Sequence, residues 1–342
     1  MKPLVSIVIP IYNMGDSIES CVKSVLNQDY DNYEVILVDD GSKDNSLEVC
    51  NKIAATSALV KVIHTENRGS GPARNTGIEN ASGRYIYFPD ADDYIEPNTI
   101  SRLVEAMEDG KYDLVVFGFK NVNTKGVLVS EKIYPELSQY GDDIRVSYAD
   151  YMTTSSRLGI QGAPWNKFFD MDVIREHHLK YPPLRRHQDE GFIGRYMCHA
   201  KHVHFIQDVL YTYYTNDLSR EWKKYPVDYI DAVTGLYKVR KETILKWNES
   251  DQMTHDMIFK EYICNVIKCL ELSFSPKMNF NSDERKNWIR HILKVSEIQS
   301  VIIPSLLGKY QKVMMNIISL GNTPLLYSVL YFKITCEKYL RK

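Results

Sequence analysis

A chain of 342 residues with 44% hydrophobic and 25% charged residues has volume for one large domain or two modest ones, and this composition argues against disorder. Its net charge of −2 argues against a global pull on nucleic acid. The six cysteines (Cys21, Cys50, Cys198, Cys264, Cys269 and Cys336) form no CxxC pair and no metal spacing with histidine, so they read as reduced thiols.

The first third alternates β-branched runs with helical patterns, the signature of a parallel sheet with crossover helices. Leu4–Ile9 is the first strand, an apolar run suited to burial on both faces, which Pro10 interrupts. The run is too short for a signal peptide, and no stretch reaches the roughly 20 apolar residues of a bilayer span, so a cytoplasmic protein is expected. Asp16 and Glu19 have capping-box spacing for a helix through Leu26. Strands follow at Tyr33–Val38, Val60–His64, Tyr85–Phe88 and Tyr112–Phe119, with helices at Asn45–Ala58, Pro72–Asn80 and Asn98–Met107. From Asn121 to Ser219 the pattern is less regular, with aromatic-rich strands near Val203–Phe205 and Val209–Tyr214. Helices then dominate, at Tyr229–Trp247, Met253–Phe274 and Asp283–Val295.

Three polar loops, Pro10–Asp16, Asp39–Asp44 and Pro89–Asp93, each follow a strand directly, where open α/β sheets place their ligands. In FPDADDYI, three acids within four residues repel one another by about 1 kcal/mol or more per close pair. A divalent cation bridging substrate phosphates would relieve that cost, since Mg²⁺ and Mn²⁺ favour one or two carboxylates completed by phosphate and water. The bland reading is an acidic turn capping a helix near Pro97, and the strand-end position favours the metal. In VDDGSKD, Gly41 permits a sharp turn, Asp44 or Asn45 suits a helix cap, and Asp40 can accept a hydrogen from a nucleobase or ribose. Gly69-Ser-Gly71-Pro-Ala-Arg74 begins like a dinucleotide fingerprint, but Arg74 stands where the third glycine would be and Pro72 suits a helix N1 position. That argues against a dehydrogenase; read as a loop opening the helix at Pro72–Asn80, the segment places Arg74 and Asn75 near the nucleotide.

The sequence resembles family 2 glycosyltransferases of the GT-A fold, an inverting group that builds bacterial polysaccharides and glycans. The matching segments are SIVIPIYN (Ser6–Asn13), VDDGSKD (Val38–Asp44), NRGSGPARNTGI (Asn67–Ile78), FPDADD (Phe88–Asp93), PWNKFF (Pro164–Phe169) and RRHQDEGF (Arg185–Phe192). The resemblance covers Met1 to about Ser219. It implies a Rossmann-like, mostly parallel α/β sheet with flanking helices over 1–220, split into a nucleotide-binding half (1–119) and an acceptor half (120–220). A helical extension over 221–342 follows. By the same resemblance, Pro10, Tyr12 and Asn13 would line the base and ribose, Asp40 would contact the base, and Arg74 would face the diphosphate. Asp90 and Asp92 would hold Mn²⁺ or Mg²⁺, Trp165 and Lys167 would shape the acceptor and donor-sugar side, and Asp189 would be the general base. The family commonly has Glu where this chain has Gln188, Glu190 is a second acid beside the base, and Arg220 is the nearest candidate for a late basic residue.

The implied reaction is a single displacement from a nucleotide-diphosphate sugar, UDP-linked by resemblance, onto a hydroxyl of a glycan or lipid-linked saccharide. One base suffices because the diphosphate leaves unprotonated, unlike the paired acid and base of glycoside hydrolysis. A non-catalytic sugar-nucleotide or glycan-binding module would not need Asp189. A nucleotidyltransferase would carry a longer glycine-rich basic loop than Ile11–Asp16, which has only Gly15. Clustered histidines (His177, His178, His187, His199, His202, His204) lack zinc-ligand spacing, and the 24 tyrosines read as scattered core and rim residues. In the tail from Leu306, Lys309, Lys312, Lys333, Lys338, Arg341 and Lys342 stand against Glu337, a net charge of +5, with apolar residues at helical spacing. A basic amphipathic helix can lie on an anionic membrane, here the inner face of the plasma membrane; the other reading docks it on its own domain.

Overall fold

The computed structural model describes residues 1–152, 156–160, 162–215, 229–247, 251–275, 278–302 and 304–336, and the backbone of 337–340. In chain order, β1 (Val5–Ile11), α1 (Ile18–Leu26), β2 (Tyr33–Asp40), α2 (Ser46–Thr56), β3 (Val60–Thr65), α3 (Ser70–Asn80) and β4 (Tyr85–Tyr87) form a repeating strand–helix series. They are followed by β5 (Tyr94–Ile95), α4 (Thr99–Gly110), β6 (Leu114–Asn123), β7 (Leu128–Lys132), β8 (Leu137–Tyr140) and the short helices α5 (Gly141–Arg145) and α6 (Tyr148–Tyr151). After these come β9 (Lys167–Asp170), α7 (Met171–Glu176), α8 (Gln188–Met197) and β10 (His202–Thr215).

The sheet runs in the order β3-β2-β1-β4-β9-β6-β10-β5, with β7 beside β6 and β8 beside β10. The pairs β1–β2, β1–β4, β2–β3 and β6–β10 are parallel, whereas β9 runs antiparallel to both β4 and β6. Every residue of β1 is buried, which is why it reads as an apolar run with no alternation. Fully buried Ile7, Ile9, Val35, Leu37, Tyr87 and Phe117 belong to one core with Ile18, Val22 and Val25 of α1 and Leu103 and Met107 of α4. Each such side chain contributes roughly 1.5–3 kcal/mol by leaving water.

The structure corrects several expected boundaries. Pro10 does not interrupt β1: the strand pairs with β4 only through Ile7, and from there to Ile11 its partner is β2. Proline is tolerated where a ladder is one-sided. The Asp16–Glu19 capping box is absent: Ser17 is the N-cap of α1 and makes no side-chain cap. The loop is held from outside instead, with Gly15 N donating to Asp44 Oδ2 and Met14 N to Ser46 Oγ. Pro72 is the third residue of α3, not its first. The two strands expected at Val203–Phe205 and Val209–Tyr214 are one 14-residue strand, β10, whose register against β6 shifts between Phe205 and Tyr211.

The chain divides into two compact units, Met1–Asp217 with Lys246–Asn248, and Leu218–Leu245 with Glu249–Lys342. The second is helical: α9 (Tyr229–Lys246), α10 (Gln252–Leu272), α11 (Ser282–Ser296), α12 (Lys309–Ser319) and α13 (Thr323–Leu340). Its core gathers Ile263, Val266 and Leu270 of α10, Trp288, Ile289 and Ile292 of α11, Met314 and Ile318 of α12, and Leu326 and Leu330 of α13. The tail is therefore two helices, each docked by one face. The residues around Arg220 and the 220/221 boundary, and the tail's Arg341 and Lys342, lie outside the described residues.

Candidate active site

The loops after β1 and β2 are stitched together. Asn13 takes a left-handed conformation (φ 54°), its amide donates to Ser42 Oγ at 3.0 Å, and its Oδ1 accepts from Lys43 N at 2.8 Å. Asn tolerates that conformation better than most residues. Tyr12 beside it is exposed, and Pro10 is buried within β1.

Asp39 and Asp40 end β2 with buried carboxylates. Asp40 accepts Arg68 N at 2.9 Å and Gly69 N at 2.7 Å, fastening the segment that leads into α3. Asp39 Oδ2 lies 2.7 Å from His64 Nδ1, and its Oδ1 is buried without a partner among the described residues. Gly41 (φ 69°) turns the chain where a Cβ would come within 2.7 Å of Asn67 N. Asp44, not Asn45, supplies the side-chain contact at the start of α2, accepting Ser46 N at 3.0 Å.

Arg74, on α3, joins two distant segments. Its guanidinium is only 3% exposed, with Nη2 2.6 Å from Asp90 Oδ1 and Nη1 3.0 Å from Asp189 Oδ1. Burial opposes its charge, but Asp189 and Asp90 more than offset that, and its pKa is raised above the ordinary arginine value. The guanidinium also lies over the Tyr181 ring, 5.5 Å from its centroid, and Tyr181 stacks on Phe192. Its Nε is buried without a partner among the described residues.

The acidic loop after β4 separates its three carboxylates. Asp90 and Asp92 are partly exposed, whereas Asp93 is buried and accepts Tyr211 Oη–H at 2.6 Å and Tyr214 N at 2.9 Å. Burial, then the charges of Asp90 and Asp92, push the Asp93 carboxyl up to about 8. The Tyr211 hydroxyl also accepts Asp90 N at 3.1 Å, so β10 holds both ends of this loop. Among the described residues, no group of three or more His, Cys, Asp or Glu side chains is placed to hold a metal unaided. A pair of partly exposed carboxylates fits a hard divalent cation that keeps positions for phosphate oxygens and water.

Asp189 lies in the first turn of α8, with its carboxyl pKa raised by burial, lowered by Arg74, raised by Asp90 and lowered by Lys167. Its neighbours diverge. Gln188 Nε2 donates to Ser70 Oγ at 2.7 Å, packing α8 against the start of α3, where Gly71 leaves room for the Gln188 side chain. Glu190 is buried, with Oε1 3.5 Å from Tyr148 Oη. Of these two acids, Asp189 is the one joined to Arg74.

Lys167 opens β9 with a buried ammonium group, Nζ donating to Asn166 Oδ1 at 2.7 Å and to Ala163 O at 2.8 Å. Burial lowers its pKa to about 7, an effect Asp189 partly opposes. Trp165 is buried rather than open: it stacks on Tyr211 (centroids 4.6 Å, planes 6° apart) and on Tyr213 (5.7 Å, 11°). Sequence reasoning missed Tyr211, His64 and Tyr181. Only the aromatic run LYTYYT hinted at the first; nothing local marked the other two.

A mostly parallel sheet whose strand ends gather an acidic loop, a buried arginine and a second acid from an inserted helix has the architecture of a GT-A glycosyltransferase. The Glycosyl transferase family 2 model matches residues 6–154. Glycosyltransferase GlyG of Streptococcus pneumoniae is 32% identical over 219 residues, 62% of this chain and 71% of that protein. The poly(ribitol-phosphate) beta-glucosyltransferase of Bacillus spizizenii is 29% identical over 298 residues, 84% of this chain and 44% of that protein. The crystal structure of S. aureus TarS 1-349 in complex with UDP-GlcNAc shares the fold with a TM-score of 0.63 at 20% identity, over 98% of this chain and 92% of that one. The mannosyltransferase PcManGT from Pyrobaculum calidifontis, in complex with GDP-Man and Mn²⁺, follows at 0.54 and 15%, with 87% of each chain covered. The chain belongs to glycosyltransferase family 2 and is a glycosyltransferase enzyme.

Proposed function

We propose that this enzyme moves a sugar from a UDP-sugar to a hydroxyl of a glycan or lipid-linked saccharide with inversion, Asp189 acting as base and Asp90 and Asp92 holding Mn²⁺ or Mg²⁺. The observation that carries the reading is the bridge Asp90–Arg74–Asp189, which brings the acidic loop and the second acid to one buried cation. In this reading Asp189 takes the acceptor proton, the acceptor oxygen bonds to the anomeric carbon, and the bond from that carbon to the diphosphate oxygen breaks. The nucleoside diphosphate departs unprotonated from the opposite face. Such a base contributes about 10²- to 10⁴-fold. Pro10, Tyr12, Asn13 and Asp40 would form the base and ribose side, and Lys167, buried near Asp189, would act on its charge. Trp165, whose ring packs on Tyr211, would shape the sugar side through that stack. The cation, when bound, supplies positive charge to the departing diphosphate. The UDP-GlcNAc complex of TarS and the Mn²⁺ complex of PcManGT are consistent with this donor and metal class.

The test is Asp189→Asn, scored by donor turnover and by thermal shift with UDP-sugars and Mn²⁺. Turnover should fall at least about 10²-fold with donor binding nearly unchanged. An equal loss of binding and turnover would remove the base assignment.

A further inference from the structure

We infer that α12 and α13 present a docking face for an anionic lipid bilayer. Between Glu297 and Glu337 the sequence carries no acidic residue and three lysines, Lys309, Lys312 and Lys333. Both helices are anchored from one side: Met314, Met315 and Ile318 of α12 and Leu326 and Leu330 of α13 are buried in the helical unit's core. Lys333 is turned to that side as well, paired with Glu271 of α10.

The other side is not the polar face that such anchoring normally leaves in water. On α12 and its C-cap Leu320, Lys309, Lys312, Val313 and Leu320 fall on one stripe at intervals of three, four and seven residues, and all are exposed. On α13, Leu325 and Phe332 lie two turns apart, also exposed. Leu320 keeps 67% of its surface and Phe332 71%, although the inward faces are already satisfied. Neither lysine of the stripe has an ion-pair partner among the described residues, so their charge is presented outward. Cationic residues beside large exposed apolar ones match the headgroup–acyl boundary of an anionic leaflet. The fit is to lying on the surface, since no helix among the described residues is long and apolar enough to cross a membrane. A second copy meeting the same face would set the two Lys309–Lys312 stripes against each other, with no acid between Glu297 and Glu337 of either chain, which like-charge repulsion opposes.

The inference does not depend on which sugar or base the enzyme uses, and its test is physical partition. The full chain is floated with vesicles of phosphatidylcholine alone and of phosphatidylcholine mixed with phosphatidylglycerol. Wild type should bind the mixed vesicles far better, and added salt should weaken that binding. Lys309→Gln with Lys312→Gln should reduce partition about 25-fold, from about fivefold per surface lysine. Leu320→Ser with Phe332→Ser should reduce it further at unchanged salt dependence. Transfer to a soluble acceptor should stay at the wild-type rate in both variants, which also shows that they fold. Partition that is equal for wild type and variants, or no preference for the anionic vesicles, overturns the inference. So does light scattering that finds a wild-type dimer which Leu320→Ser with Phe332→Ser makes monomeric.

Discussion

Replacing Arg74 with Met keeps the length of the side chain and deletes the charge that joins Asp90 to Asp189. Breaking a fully buried ion pair costs about 3–5 kcal/mol. Here the guanidinium is buried but the carboxylates retain 30% and 28% of their surface, so water can rehydrate them. A cost of about 2–3 kcal/mol is the appropriate figure, and it lowers Tm by about 8 °C for a unit of this size. The second consequence has a sign. Burial raises the Asp189 carboxyl and Arg74 lowers it, while Asp90 raises it again. Without Arg74 the carboxyl holds its proton to higher pH, so the acid limb of the kcat/KM profile should move alkaline. Calorimetry and a pH–rate profile of Arg74→Met on a UDP-sugar check both. Asp189→Asn in the Arg74→Met background should cost less than the two single changes summed, because the unpaired acid is gone. A wild-type Tm, or an acid limb that stays in place or moves to lower pH, refutes the reasoning.

Two further outcomes follow from the same site. Lys167 is held near 7, well below its unfolded value, so between about pH 7 and 10 the unfolded chain binds a proton that the folded chain has released. This group therefore adds stability as pH rises through that window, at up to about 1.4 kcal/mol per pH unit, and Lys167→Met should lose that slope in urea midpoints at pH 7 and 9. Parallel slopes for the two proteins would dispose of a buried, easily deprotonated lysine. Excess EDTA should abolish transfer and added Mn²⁺ restore it, with Asp92→Asn needing far more Mn²⁺ than wild type; full activity in EDTA would overturn the two-carboxylate metal reading.

How much of this could be read from the residues depends on what each element touches. β1 and β2 were legible because strands buried on both faces spell continuous apolar runs, as in Ile7–Ile9 and Val35–Val38. Their ends were not, because the ladder continues to Ile11 and Asp40 through residues chosen for the site. β9 escaped notice altogether: Lys167–Asp170 is wholly buried, yet it begins with a lysine and ends with an aspartate. Long-range partners were equally invisible. Tyr211 reaches Asp93 across 118 positions, and Arg74 reaches Asp189 across 115. Motif spacing could nominate each acid, but only packing could say that Asp189 meets Arg74 while Glu190 is buried by Tyr148.

The acids of the site also explain why they can be so close. Asp90 and Asp189 share the one positive charge of Arg74. Asp93, pushed up to about 8 by burial and its neighbours, keeps its proton over most of the neutral range, and burial lowers Lys167 to about 7. Around Arg74, then, the carboxylates outnumber the buried cation they share. A nucleotide diphosphate brings its own negative charge to these carboxylates, a repulsion that a divalent cation would offset. On the proposed mechanism a divalent cation would accompany the donor, and until then Asp90 and Asp189 share Arg74.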